Sequence, residues 1–134
     1  MPTNLTFQIV LALPFEEAVQ KATAALQKEG FGVLTEIDVK HTLKEKLDVD
    51  IEPHLILGAC NPPLAHKAIS SSPLASLLLP CNVTVRQIEE GSLVSIIDPQ
   101  TLLSIGELGE NPEIGEVAGE AAERLKRVIK ALGS

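Results

Sequence analysis

Residues 81–97, CNVTVRQIEEGSLVSII, give the first indication of how this chain folds. Apolar and polar side chains alternate over residues 81–88, which is the period of a β-strand with one buried face. The Glu90-Gly91 pair predicts a hairpin turn, and a second strand follows at residues 93–97. Because a tight turn of this kind joins antiparallel neighbours, the stretch predicts an antiparallel pair within a sheet.

Three more strands are predicted before this hairpin, at residues 5–11, 31–37 and 54–60. In the first two strands, apolar and polar side chains alternate. Residues 54–60 are nearly all apolar and therefore predict a strand buried on both faces. In the second strand, alternation is expected to place four side chains on one face: Phe31, Val33, Thr35 and Ile37.

Helical periodicity accounts for most of the remaining chain. Helices are predicted at residues 14–29, 39–47, 62–69, 99–105 and 112–132, with a turn at residues 70–73 and a loop at residues 106–110. Three helices begin with a capping Asn or Asp followed by proline, at Asn61, Asp98 and Asn111. The order β-α-β-α-β-α-β-β-α-α predicts an α+β, two-layer sandwich, in which a five-stranded, largely antiparallel or mixed sheet carries its helices on one face.

Length and composition predict a single domain, residues 1–134, with an aliphatic core. Hydrophobic residues make up 45% of the chain, which has no Trp, no Tyr and three Phe. The net charge is −7. Because nucleic-acid binding needs basic surface and, for single strands, aromatic stacking residues, we expect no binding to nucleic acid.

Membrane attachment and secretion are not expected either. The apolar segment at residues 7–15 is too short to span a bilayer. No basic residue precedes Lys21, although a secretory signal requires one near its start. Two cysteines are too few for a disulfide scaffold. We therefore expect a cytoplasmic protein in which both thiols are reduced.

Several motifs resemble one known family. They are LGACNPPLA at residues 57–65, LLPCNV at residues 78–83, GFGV at residues 30–33, LKEKL at residues 43–47 and the Asp98-Pro99 pair. Together they resemble the bacterial and archaeal family catalogued as domain of unknown function number 302. The resemblance implies a compact α+β fold of the kind grouped with TATA-binding-protein-like folds, often present as a homodimer. It implies no established reaction.

Each cysteine is followed by an asparagine, and these four residues are candidates for ligand binding: Cys60, Asn61, Cys81 and Asn82. Cys60 is predicted to end a strand directly before a helix, whose positive N-terminal end would lower the thiol pKa and make it a nucleophile or a metal ligand. The alternative is that Cys60 is a small core residue and that Asn61 caps the helix. If the third and fourth strands are neighbours, the two Cys-Asn pairs are expected to converge.

Two further candidate sites involve other polar residues. The ligands of an alternative site for zinc or another transition metal would be Cys60, Cys81, His66 and Asp98. Lys46 lies with Lys40 and Lys44 in a predicted helix, and this basic patch is a candidate for binding a phosphate or a carboxylate. The alternatives are that His66 is simply solvated, that Asp98 only caps a helix, and that the three lysines form a solvated helix face.

Three functions agree with these observations. The first is a small homodimeric binding module with a polar small-ligand or anion site near the two Cys-Asn pairs, where strand ends meet helix starts. The second is an enzyme that uses Cys60 as a thiolate, with His66 nearby. The third is a structural or interaction protein that dimerises through residues 74–79 or the Ile96-Ile97 pair. No cofactor can be named, because the common nucleotide-binding, hydrolase and zinc-protease motifs are absent from the sequence.

Overall fold

The computed structural model of the protein describes residues 5–134, and five of its segments are strands. They are β1 Thr6–Leu11, β2 Gly32–Asp38, β3 His54–Cys60, β4 Cys81–Ile88 and β5 Gly91–Ile97. The strands form one sheet in the order β1-β5-β4-β3-β2, and every neighbouring pair is antiparallel. The predicted hairpin of residues 81–97 is the β4-β5 pair.

Helices fill most of the remaining described chain. The α-helices are α1 Phe15–Lys28, α2 Val39–Leu47, α3 Pro62–Ser71, α4 Pro99–Leu102 and α5 Pro112–Leu132, and the 3₁₀ segments are Pro73–Leu78 and Gly106–Glu110. Helices α1 and α5 pack against each other and against the sheet, while α3 and α4 pack against α5. The fold is therefore α+β, with an antiparallel five-stranded sheet, as predicted.

The main core lies between the sheet and helices α1 and α5. Val83 and Val85 point into it from β4 and are fully buried, whereas Asn82 and Arg86 point away and are exposed. Leu125 closes the core from α5 and is also fully buried. Since a buried side chain of this size contributes roughly 1.5–3 kcal/mol, this alternation is what fixes the sheet against its helices.

The prediction for the faces of β2 is wrong. It placed four side chains together: Phe31, Val33, Thr35 and Ile37. The register with β3 shifts between Val33 and Thr35, with Leu34 as the extra residue. An extra residue makes the alternation resume on the opposite face. Phe31 is accordingly 2% exposed on the helix side, while Ile37 is 49% exposed.

The face of β3 that points away from the helices is less buried than the apolar sequence of this strand predicts. Leu57 is buried on the helix side, but Ile56 is partly exposed on the other side. The second face is closed at Gly58, where a Cβ atom would overlap Thr35 Oγ1 and lie 2.8 Å from Pro80 Cγ. The prediction of burial on both faces therefore holds at the end of the strand that leads to Cys60.

Two helix boundaries also differ from the predictions. Helix α3 continues through Ser71, within the predicted turn, and Ser72 is then extended because the residue before a proline disfavours the α conformation. Helix α4 ends at Leu102 and not near residue 105. Ser104 Oγ donates a hydrogen bond to the Thr101 carbonyl at 2.8 Å, a local side-chain contact that competes with further helix.

Candidate functional site

Cys60 and Cys81 lie side by side at the end of the β3-β4 pair. Ala59 is paired with Cys81, so that Cys60 is the diagonal neighbour of Cys81. Both cysteines line one cavity of about 30 Å³, whose other walls come largely from α3 and α5. The structure thus brings the two cysteines to the same end of the sheet, but alternation along β3 gives the face of Cys81 to Ala59 and the opposite face to Cys60.

The two asparagines are separated. Asn61 is buried and lines the same cavity as the cysteines. Asn82 is exposed, pairs with Gly58 and lines a different groove. Successive residues of a strand point to opposite faces, so Cys81 and Asn82 cannot serve one site from the same strand.

The cavity between the cysteines is apolar. Its walls include Phe31, Leu64, Ala68, Leu103 and Val117. A volume of about 30 Å³ admits one or two water molecules, whereas small-molecule pockets usually measure about 300–1,000 Å³. The geometry offers a small, partly open apolar space bordered by both cysteines, with little room for a hydrated anion or a polar ligand.

Burial raises the pKa of both thiols. Loss of hydration raises the pKa of Cys60 above its ordinary value of 9.0. For Cys81, loss of hydration and then the negative charge of a neighbouring Cys60 thiolate raise the pKa to about 11. The pKa of Cys60 is thus raised and not lowered as expected at the N-terminus of α3, because burial disfavours the charged thiolate. Both thiols are therefore protonated at neutral pH, which is unfavourable for a thiolate nucleophile.

Asn61 connects two helix ends. Its Oδ1 accepts a hydrogen bond from the Leu64 N–H at 3.3 Å and so caps α3. Its Nδ2 donates to the Glu29 carbonyl at 3.5 Å, and Arg124 Nη1 donates to the same carbonyl at 3.1 Å. The amide is thus used in holding α3 to the end of α1, which agrees with the capping alternative.

His66 and Asp98 do not join the cysteines. His66 is exposed on α3. Asp98 Oδ1 accepts a hydrogen bond from the Gln100 N–H at 2.9 Å and caps α4. Within residues 5–134, no group of three or more His, Cys, Asp or Glu side chains is arranged to hold a metal ion. The structure therefore leaves only the two thiols of the four predicted metal ligands in contact with one cavity.

Lys46 is exposed on α2 and does not line the cysteine cavity. Lys44, two residues earlier, pairs with Asp48 at 2.8 Å. Lys40 donates a hydrogen bond to the Ile51 carbonyl at 2.6 Å. Two of the three lysines in the predicted basic patch thus have partners within the chain, which reduces the attraction of this patch for an anion.

A second surface is formed by the 3₁₀ segment Pro73–Leu78. Side chains three residues apart align in a 3₁₀ helix, and Leu74 and Leu77 accordingly share its outer side while Ala75 is fully buried. Leu74 is 45% exposed and Leu77 is 78% exposed. We call Leu74, Leu77 and Leu78 the leucine ridge.

Two grooves use the leucine ridge as a common wall. The first groove, of about 330 Å³, is lined by Leu77, Leu78, Leu79, Pro80, Asn82, Ile97 and Leu102. The second groove, of about 250 Å³, is lined by Leu74, Leu77, Leu78, Ile105, Gly106, Glu107 and Leu108. The apolar run at residues 74–79 was visible in the sequence, but the opposite walls come from segments that are distant along the chain.

The fold and the cysteine cavity define a small α+β protein whose antiparallel sheet carries two long helices on one face. The chain belongs to the family described as Domain of unknown function DUF302, whose family model matches residues 7–132. It is similar to the crystal structure of the uncharacterized conserved protein DUF302 from Bacillus stearothermophilus, with 26% sequence identity and a TM-score of 0.84. That similarity covers 95% of this chain and 97% of the other.

A comparison with proteins of curated function found no match. The family membership therefore agrees with the resemblance seen in the sequence and brings no reaction, ligand or partner with it. None of the helices in residues 5–134 combines the length and the apolar character that crossing a bilayer requires.

Proposed function

We propose that this protein is a homodimeric binding module whose two copies associate through the leucine ridge and the first groove. The observation that carries the proposal is the exposure of Leu77, which reaches 78% beside a groove with aliphatic walls. A leucine in water forgoes roughly 1.5–3 kcal/mol that burial would provide. Exposed apolar patches of this kind are typical of interaction surfaces.

A ridge beside a groove is self-complementary. In a two-fold dimer the same surface of both copies meets, so that every contact is made twice. Leu77 of each copy can enter the first groove of the other, against Ile97 and Leu102. Burial of two such leucines would contribute roughly 3–6 kcal/mol toward the cost of association.

Charge also favours this surface for contact between copies. Each chain carries a net charge of −7, so two copies repel one another, and this repulsion is smallest when they meet at a surface without charged groups. None of the residues that line the first groove is charged. The second groove includes Glu107 and is therefore less suited to a second acidic copy.

The change Leu77→Asp tests this proposal. It places a carboxylate where an apolar contact is proposed, so we expect the dimer dissociation constant to rise at least about 100-fold, as for the loss of a central contact residue. Sedimentation velocity over concentrations from about 1 to about 100 μM measures the change.

Leu47→Asp is the matched control. Leu47 is 66% exposed on α2 and lies outside the ridge and both grooves, so the same charge there should leave the dissociation constant within about threefold. A parent protein that stays monomeric over the whole concentration range contradicts the proposal. An equal effect of both substitutions also contradicts it, because general repulsion would then explain the result.

A second candidate function is small-ligand binding in the first groove. Its volume of about 330 Å³ lies within the usual range for ligand pockets, and Asn82 supplies one polar group among aliphatic walls. The expected ligand is a compact apolar molecule with a single hydrogen-bonding group. We expect such molecules to raise the Tm of the parent and to lose that effect with Asn82→Ala. A ligand whose effect is the same in both proteins binds elsewhere.

Other properties rest on composition alone and stay predictions. The net charge of −7 and the near absence of aromatic residues support the expectation that the protein does not bind nucleic acid. The two free cysteines support a reducing compartment, for which the cytoplasm is the simplest case.

A further inference from the structure

We propose that the contact between two copies extends from the leucine ridge over the open face of the sheet, so that the two sheets stack face to face. The open face is the side of the sheet that points away from α1 and α5. This inference rests on the proposed function, since it names a second part of the same interface, and it has a test of its own.

The open face carries few charged groups. Along β4, Thr84 and Arg86 point outward and alternate with the buried Val83 and Val85, and the neighbouring strands alternate in register. Large aliphatic side chains also lie on this face, at Val10, Ile37, Ile56, Leu93 and Ile97. Because the solvated face of an antiparallel sheet is normally polar, this composition is typical of a face that a partner covers.

Two polar side chains of the open face already have partners inside the chain. Gln8 Nε2 donates a hydrogen bond to Ser95 Oγ at 2.9 Å, and Thr6 Oγ1 donates to the Ile96 carbonyl at 2.9 Å. A polar group that keeps a hydrogen bond costs much less to remove from water than one that loses it. The β1-β5 part of this face can therefore be buried at a small desolvation cost.

The charge of this face favours a second copy of the chain as its occupant. No acidic side chain lies on the open face within the described strands, although the chain has a net charge of −7. Arg86 has no ion-pair partner among the described residues, whereas Arg124 and Arg127 each pair with a glutamate. A face with one unpaired cation and no acid attracts an acidic partner, and each copy is itself acidic.

The first groove opens directly onto this face. Asn82 and Ile97 line the groove, and each points outward beside a buried neighbour of its own strand. The ridge and the first groove together comprise eight residues. A stable interface takes roughly 20–30 residues from each partner, so the ridge needs more surface around it, and the open face adjoins it.

One symmetry axis accommodates both parts of the interface. A two-fold axis parallel to the strands, between β4 and β5, stacks β4 of one copy over β5 of the other. The ridge then lies at the same end in both copies, so that Leu77 still reaches the first groove of its partner. Thr84 and Ser95 face each other midway along the two strands and lie at the centre of the stack. Sheets stacked in this way are about 10 Å apart.

The test is the change Thr84→Glu, which places a carboxylate at the centre of the proposed stack. In sedimentation velocity we expect the dimer dissociation constant to rise at least about 100-fold, as for the loss of a central contact residue. Gln27→Glu is the matched control, because it adds the same charge at an exposed position of α1, on the other side of the sheet. It should leave the dissociation constant within about threefold of the parent value.

Arg86→Glu provides a second measurement at an exposed position, and it decides the matter if circular dichroism shows that Thr84→Glu does not fold. We expect this charge reversal to raise the dissociation constant at least about tenfold, because it replaces the one cation of the open face by an acid. Lys130→Glu, at an exposed position of α5, is its control and should stay within about threefold of the parent.

Leu77→Asp belongs in the same series, because it separates this inference from the proposal for the ridge. If Leu77→Asp weakens the dimer while both open-face changes stay within about threefold of the parent, the open face is not part of the interface and the ridge still is. If the open-face changes weaken the dimer and Leu77→Asp does not, the ridge proposal is wrong and the open face alone forms the contact. A parent protein that stays monomeric contradicts both.

Discussion

Cys81 lies where a thiol is more stable than a thiolate. The residue is 5% exposed, and its pKa of about 11 in the folded protein compares with an ordinary value of 9.0. Because the folded-state pKa is the higher one, the folded state holds this proton more tightly than the unfolded state does. The resulting stability is complete below pH 9 and is lost as the pH rises through about 11.

We therefore expect the free energy of unfolding to fall by up to about 3 kcal/mol between pH 9 and pH 11 because of Cys81. Urea unfolding of the parent and of Cys81→Ala over this range measures the effect. The two proteins differ at residue 81 alone, so the difference between the two curves reports the Cys81 thiol together with its coupling to Cys60. Parallel curves for the two proteins would contradict the raised pKa.

The candidate residues show how much of the role of a single residue can be predicted from the sequence. Asn61 was identified as a cap from the Asn-Pro pair, and it does accept the Leu64 N–H. The pKa of Cys60 was expected to fall and instead rises, because the degree of burial depends on which segments cover the strand end. The start of a helix can be recognised in the sequence, whereas the hydration of a thiol beside it depends on tertiary packing.

At the scale of the elements, capping gives the most reliable local information. Asn61, Asp98 and Asn111 each accept a hydrogen bond from a backbone N–H of the helix that follows. The reason is that capping depends on residues within three positions, which the sequence specifies completely. Helix α5 consequently has the bounds that were predicted, Pro112–Leu132.

Asn111 provides a test of this local effect. Its Oδ1 accepts hydrogen bonds from the Glu113 N–H at 2.9 Å and the Ile114 N–H at 3.4 Å. We expect Asn111→Ala to lower the free energy of unfolding by about 1 kcal/mol, within the range of about 0.5–2 kcal/mol for lost caps. Asn111→Asp should retain most of the stability, because a carboxylate caps equally well and its charge suits the helix N-terminus.

Urea unfolding compares the three proteins at neutral pH. Asn111 Nδ2 also donates to Ser71 Oγ at 2.9 Å, and in Asn111→Asp the serine hydroxyl can donate instead. Equal destabilisation by Ala and Asp would mean that this contact with α3, and not the cap, gives Asn111 its importance.

Other elements could not be predicted because they depend on partners. The extra residue in β2 is set by the pairing of Val33 with Ala59 and of Thr35 with Gly58. The 3₁₀ form of Pro73–Leu78 follows from the burial of Ala75 beneath it. Ala59 and Gly58 are both more than ten residues away from β2 along the chain, so the alternation within β2 alone predicted the wrong face.

At the scale of the whole molecule, the cysteine cavity and the leucine ridge differ in their surroundings. The cysteine cavity is bordered by α3 and α5 and has little room for a polar ligand. Leu74 and Leu77 of the leucine ridge are exposed, and we propose that the ridge takes a second copy of the chain. That residues 1–134 form one domain stays a prediction.

The sequence by itself determined the kinds of elements, most of their bounds, the helix caps and the resemblance to the DUF302 family, because all of these depend on residues close together in the chain. The tertiary structure decided that Cys60 and Cys81 border one cavity, that Asn82 faces away from Cys81, and that Leu77 borders a groove with Ile97 and Leu102. These relations join residues that are distant along the chain, and they exist because strand order and side-chain burial are set by packing the whole sheet against its helices.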